Sequence, residues 1–137
     1  MTSRAQIEET IRSLYVARVN GDLDGTLKDM AEDATFGIHA RGTGAPELSA
    51  PIRGRASIRA AVGALIADWQ FNEWKEIDLL VDVDKEKALL HWRARVQNAK
   101  SKKSAIFYVF DVIKFRDGKI VDFQESTDTA LMMSIAG

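Results

Sequence analysis

The hydrophobic period of this chain changes once, near Phe71, and the change decides what it can fold into. Before that point apolar residues recur every three or four positions: Ile7, Ile11, Leu14, Tyr15 and Val19 in one stretch, then Ile58, Val62, Leu65, Ile66 and Trp69 in another. That spacing places them on one stripe of a helix. After it they recur every two. Ile77, Leu79, Val81 and Val83 alternate with Asp78, Asp82 and Asp84, and Ala88, Leu90, Trp92, Ala94 and Val96 alternate with His91, Arg93, Arg95 and Gln97. Alternation of this kind gives a strand one apolar face. Helices followed by a run of strands make an α+β protein, here three helices preceding a β-meander of about four antiparallel strands.

Local signals set the boundaries. Ser3 and Gln6 have capping-box spacing at the head of the first helix, Gly21 ends it, and Asp22 can cap a second, shorter helix through about Ala31 with Leu23, Leu27 and Met30 inward. The two form an αα-hairpin. "DATFGI" reads as a short strand, and "HARGTGAPELSAPIRG" as a long Gly- and Pro-containing loop, either the mouth of a binding site or a surface connector. The third helix runs from Arg55 to Trp69. "DKEK" and "NAKSKK" turn the chain between strands, and "RDG" between Phe115 and Lys119 is a hairpin signal.

With 137 residues, 46% of them hydrophobic, the chain has the make-up of one domain spanning residues 1–137 with a real core. Its formal charge of -1 supplies no general field toward nucleic acid or anionic lipid, so neither is expected as a partner. A neutral or weakly charged small partner is. The absence of cysteine excludes disulfides and thiolate chemistry. Two histidines with no ligand-pair spacing give no expectation of a metal, and no phosphate loop or nucleophile elbow is present. The start "MTSRAQIEETIRS" has no signal-peptide apolar region, and no run approaches the roughly 20 apolar residues of a membrane span. The expected location is the cytoplasm.

One residue breaks the pattern. On a strand from Ser104 to Arg116, Asp111 shares a face with Phe107, Val109, Ile113 and Phe115, while Ile106, Tyr108, Phe110 and Val112 make the other face apolar too, so both faces are expected to be covered. An isolated carboxylate in that setting costs several kcal/mol, and the usual response is a raised pKa that leaves it neutral. A neutral carboxylic acid is a hydrogen-bond donor able to stabilise charge on a substrate oxygen. The alternative is a carboxylate paired with Lys or Arg, or within reach of water near a strand end.

The stretches "NGDLDGTLKDMAEDATF", "GRASIR" and "DGKIVDFQESTDTA", in that order and spacing, resemble the nuclear transport factor 2-like superfamily, in particular its SnoaL-like and ketosteroid-isomerase-like branches. The resemblance implies a cone, a curved antiparallel sheet wrapped around the long first helix with a deep apolar pocket open at one end, and a homodimer formed through the outer sheet face. Tyr15 then falls at the oxyanion-hole tyrosine of ketosteroid isomerase and Asp111 at its protonated acid. The catalytic base falls on Ile38, a hydrocarbon that accepts no proton. His39 next to it faces the other side of a regular strand, and takes that role only if a bulge turns it. The SnoaL-like cyclases imply an acid on the last strand as general acid/base. Asp128 fits that position, with Glu125 three residues earlier, although Asp128 is equally placed to cap a turn starting at Thr129. The Arg-between-two-Asp arrangement of epoxide hydrolases on this fold has no match, since Arg93 and Arg95 lack the neighbouring acid.

Two functions are compatible with these residues. The first is a cofactor-independent enzyme of isomerase, cyclase or dehydratase type, moving a proton on an apolar carbonyl compound, with Asp128 as acid/base and Tyr15 and Asp111 serving the oxyanion. Trp69, Trp92 and Phe107, with His39 and His91, are the candidate ligand contacts, the rings suiting flat polycyclic molecules. His91 forms a cationic wall with Arg93 and Arg95 if their face looks inward, and solvated surface if it looks outward. The second function is a non-catalytic ligand-binding or dimerisation module on the same scaffold, for which Ile38 speaks.

Overall fold

The computed structural model describes residues 1–39 and 50–137. The chain opens with α1 (Arg4–Val19), α2 (Leu23–Leu27) and β1 (Met30–His39), and continues with β2 (Ile52–Arg53), α3 (Arg55–Asp68), β3 (Trp69–Asp82), β4 (Lys87–Asn98), β5 (Ser104–Arg116), β6 (Lys119–Ser126) and α4 (Thr129–Ala136). The six strands form one curved, unclosed sheet in the order β2-β1-β6-β5-β4-β3. Strands β3 to β6 are the antiparallel meander. The sheet as a whole is mixed, because β1 runs parallel to β6. That pairing was hidden in the sequence: a parallel neighbour needs a long crossover, here most of the chain.

The starts and stops follow their local chemistry. Ser3 and Gln6 form the complete capping box of α1, and Asp22 accepts from the Gly25 N–H to cap α2. Gly21 stands between them at φ 73°, a left-handed conformation that glycine adopts without a Cβ clash. The β5–β6 hairpin turns on Asp117 and Gly118, both at positive φ, which matches the twist of the flanking strands.

Three elements differ from expectation. Helix α2 stops at Leu27 and Met30 already pairs with Ile120 of β6, so inward-facing Met30 belongs to a strand. Strand β3 begins at Trp69 and carries two register shifts, between Asn72 and Lys75 and between Glu76 and Asp78. These shifts carry Ile77 out to solvent while Leu79 and Val81 stay half-buried. Of the long loop, residues 40–49 lie outside the described residues, and Ile52–Arg53 pairs with Thr35 and Phe36 as β2.

The core is the concave side of the sheet. Ile7, Ile11, Leu14 and Tyr15 of α1 pack with Leu90, Trp92, Ala94 and Val96 of β4 and with Phe107, Val109, Ile113 and Phe115 of β5. Each fully buried Ile or Leu contributes roughly 1.5–3 kcal/mol. The convex side is bare: Tyr108, Phe110 and Val112 of β5 are 55%, 45% and 39% exposed, so within one chain only one face of β5 is covered. Among the described residues no helix is long and apolar enough to cross a membrane.

Candidate active site

Two rungs connect α1 to the sheet. The first is Tyr15 with Asp111. Tyr15 continues the buried stripe of α1, and Asp111 projects from the inner face of β5, where it is fully buried. The Tyr15 hydroxyl donates to Asp111 Oδ2, and Trp92 Nε1 donates to the same oxygen at 2.9 Å. Trp74 stacks on Tyr15 with ring centroids 4.9 Å apart. Burial, and then the nearby Glu125 carboxyl, push the Asp111 pKa well above the carboxylate range. Burial and then Asp111 push the Tyr15 phenol up as well. Both groups are therefore neutral at pH 7. Oδ2 already accepts two hydrogen bonds, so the acid proton belongs on Oδ1, the oxygen left without a partner.

The second is an open one, Arg18 and Glu125, which line the same cavity with no hydrogen bond or ion pair between them. Arg18 lies one turn beyond Tyr15 on the same stripe and is 8% exposed. Its Nη2 donates to the carbonyls of Trp69, at 2.7 Å, and Leu65, at 3.3 Å, and the guanidinium lies 3.8 Å from the Phe71 ring centroid. Glu125 stands directly across from Asp111 in the β5–β6 ladder, so the two carboxyls share the inner face. Burial raises the Glu125 pKa to about 7, against the pull of Arg18, which favours the ionised form. The carboxyl is half-buried, so residual water trims the desolvation. Burial lowers the pKa of Arg18, with Glu125 opposing.

Arg18 and Glu125 open onto a cavity of about 90 Å³. Its walls are aromatic and aliphatic, with Trp69, Phe71, Trp92, Phe107 and Phe123 among them, and Tyr15 and Ile38 line it too. The expected residues thus divide. Tyr15, Trp69, Trp92 and Phe107 border the cavity; Asp111 lies behind Tyr15, and the oxygens of this pair point at each other rather than at a common spot in the hollow. Asp128 sits at the N-cap of α4, exposed, with its carboxylate accepting from Leu131 N–H at 2.9 Å. His39 is exposed at the end of β1, 3.1 Å from Gln124 Oε1 and 3.2 Å from Ser126 Oγ. His91 is on the convex face, stacked on Phe110 with centroids 4.1 Å apart. None of these last three borders the cavity. Among the described residues, no three His, Asp or Glu side chains gather as metal ligands.

Arg18 and the role of Glu125 went unread in the sequence, yet signals existed. Arg18 falls three and four residues after Tyr15 and Leu14, on the apolar stripe itself. Glu125 has the same strand parity as Phe123, the buried ring two residues earlier.

This architecture is that of an α+β domain whose curved sheet and first helix border an apolar hollow that Arg18 and Glu125 also line. The chain belongs to the SnoaL-like domain family, whose model matches residues 11–123. A comparison with curated protein sequences found no match. Many solved structures share the fold. A candidate isomerase from Bacillus subtilis is 16% identical with a TM-score of 0.88, the match covering 98% of this chain and 95% of that one. TerC, co-crystallised with polyporic acid, is 16% identical with a TM-score of 0.79 over 96% of this chain and 98% of its own. A Mycobacterium tuberculosis epoxide hydrolase of the LEH-like type is 17% identical with a TM-score of 0.72 over 95% and 88%. At these identities the likeness establishes the fold.

Proposed function

We propose that this single domain is a cofactor-independent enzyme that moves a proton on a small apolar carbonyl compound, with Glu125 as the proton carrier. The observation that carries this reading is the Glu125 carboxyl itself. It faces an apolar cavity, is hydrogen-bonded to no other described residue, and titrates near 7, where a group gives and takes protons with equal ease. Its ionised form removes a proton from the carbon beside the carbonyl. The enolate oxygen that results is stabilised by the N–H groups of Arg18, and the protonated Glu125 then returns the proton to the same or another carbon. Trp69, Trp92 and Phe107 hold the flat frame of the substrate, and the Tyr15–Asp111 rung fixes the wall behind it.

Glu125 takes the place that the resemblance gave to Asp128, whose oxygen is engaged at the helix cap. Ile38 lines the cavity where a ketosteroid isomerase would carry its base, so the proton is handled from the adjacent strand, β6, on which Glu125 is the register partner of Ile38. Apolar carbonyl compounds incubated with the protein in deuterated water should exchange their α-protons. Glu125→Gln should lower that rate by at least about a hundredfold. Equal rates for the two proteins would sink the reading.

The convex face supports a second element, association of two copies. Tyr108, Phe110 and Val112 offer contiguous apolar surface of the kind a partner covers. Tyr108→Glu together with Phe110→Glu should yield a monomer by sedimentation velocity.

A further inference from the structure

Among the described residues, Arg18 is a buried cation without an anion beside it: no carboxylate comes within ion-pair distance. Glu125, its charged neighbour in the cavity, is held near half-protonation at neutral pH. The Nη2 protons go to the carbonyls of Leu65 and Trp69, and one face of the guanidinium lies over the Phe71 ring. Nε and Nη1 donate to nothing among the described residues, and neither nitrogen is sealed away from contact. They belong to a side chain that lines the cavity.

A guanidinium held in apolar surroundings with donors left over is costly unless an acceptor arrives, and a charged acceptor makes the strongest hydrogen bond to it. Neutral cavities do not need such a group. Aromatic walls on the remaining sides ask for a flat, apolar frame.

We infer that the cavity selects flat, apolar molecules bearing one negative charge on oxygen, an aryl carboxylate or the enolate of an acidic carbonyl compound, with the charged oxygen on Arg18 and a second oxygen facing Glu125. The inference names the ligand class of the site proposed above and rests on that site being the ligand cavity. It needs binding only, so it stands or falls apart from turnover. Within the proposed reaction, the carbonyl compounds best served are those acidic enough at the α-carbon for the enolate to persist, because Arg18 favours that form in the ground state as well as during proton transfer.

Calorimetric titration with trans-cinnamate and its uncharged isostere trans-cinnamamide tests this. At pH 6, where Glu125 is mostly protonated, cinnamate should bind the wild-type protein at least about tenfold more tightly than cinnamamide. The preference should shrink as pH rises through about 7, because the groups facing Glu125 are Arg18 and Tyr15 from α1 and Asp111 from β5, and only Glu125 changes charge there. Arg18→Met should abolish the preference while cinnamamide binding persists, and Arg18→Lys should keep part of it. Glu125→Gln should keep the preference and remove its pH dependence. Equal or weaker binding of cinnamate by the wild type, no saturable binding of cinnamate at millimolar concentration, or an undiminished preference in Arg18→Met would each overturn the inference. The wild-type comparison does not depend on any variant folding. Anion-selective binding with no proton exchange on any carbonyl compound would remove the proposed enzyme and leave this inference intact.

Discussion

The two rungs between α1 and the sheet are built alike and end differently. Each pairs a polar residue of the buried helical stripe with a carboxyl of the inner face, Tyr15 with Asp111 and Arg18 with Glu125. Tyr15 and Arg18 are one helical turn apart, and Asp111 and Glu125 are cross-strand partners. The first rung is engaged within the protein: phenol and indole both donate to Asp111 Oδ2 out of reach of water, and among the described residues Asp111 Oδ1 alone of that rung is left without a partner. The second leaves the remaining donors of Arg18 and the carboxyl of Glu125 facing a hollow. Buried polarity answered within the protein holds structure together, whereas buried polarity left open is an invitation to a guest. A perturbed pKa alone does not separate the two cases, since burial raises both carboxyls.

The sharpest way to break this contrast is to remove the acid of the closed rung. Asp111→Ala strands the Tyr15 hydroxyl and the Trp92 N–H together and leaves a void. It should cost about 3 kcal/mol in urea unfolding. Asp111→Asn keeps an acceptor for both donors and replaces a neutral acid with a neutral amide, so its cost should stay near 1 kcal/mol. A loss for Asn as large as for Ala would mean that Asp111 is ionised, and the rung would no longer be the neutral network described above.

The open rung should respond to pH instead. Glu125 keeps its proton to about pH 7 in the folded chain, against about 4.5 when unfolded. Its contribution is therefore fully present below about pH 4.5 and is lost as pH rises through 7. Glu125→Gln should raise stability at pH 8 by up to about 2 kcal/mol, allowing for the partial exposure of the group, and leave stability at pH 4 nearly unchanged. Unfolding curves at the two pH values check this. A smaller change is expected at Asp128. Asp128→Ala should cost about 1 kcal/mol through the lost cap of α4, with cinnamate affinity unaltered. An affinity loss there would move the site toward the end of the chain.

Much of the scaffold was legible because its signals are local. The capping box at Ser3, the stop at Gly21, the alternation of β4 and the span of β5 follow from a few neighbouring residues each. The burial of Asp111 beside Phe107 and Phe115 was legible too, since parity within a regular strand fixes the face. Strand β3 was misread at Ile77, because the register shift between Glu76 and Asp78 puts Ile77 out of phase with Leu79 and Val81, and nothing in "NEWKEID" announces it. The parallel partnership of β1 and β6 joins residues some 90 positions apart, as Phe36 does with Phe123, beyond the reach of any local pattern. The candidate site was only half visible for a similar reason. The burial of Tyr15 and of Asp111 could be read from one helix and one strand, with the family resemblance bringing the two together, but the role of Glu125 depends on which residue of β5 it meets and which wall of the hollow it joins. Arg18 was overlooked for a simpler reason, because an arginine in the last turn of a helix has a ready explanation in the helix dipole.

The borders of the sheet carry one more consequence. On one side the last strand, β2, is two residues long; on the other, β3 is broken by its two shifts and by Glu73 at φ 53°. Among the described residues, neither offers a straight row of free amides and carbonyls for a foreign strand to zip against. Chains crowded together at high concentration should therefore resist stacking into fibrils, even though the sheet itself never closes into a barrel.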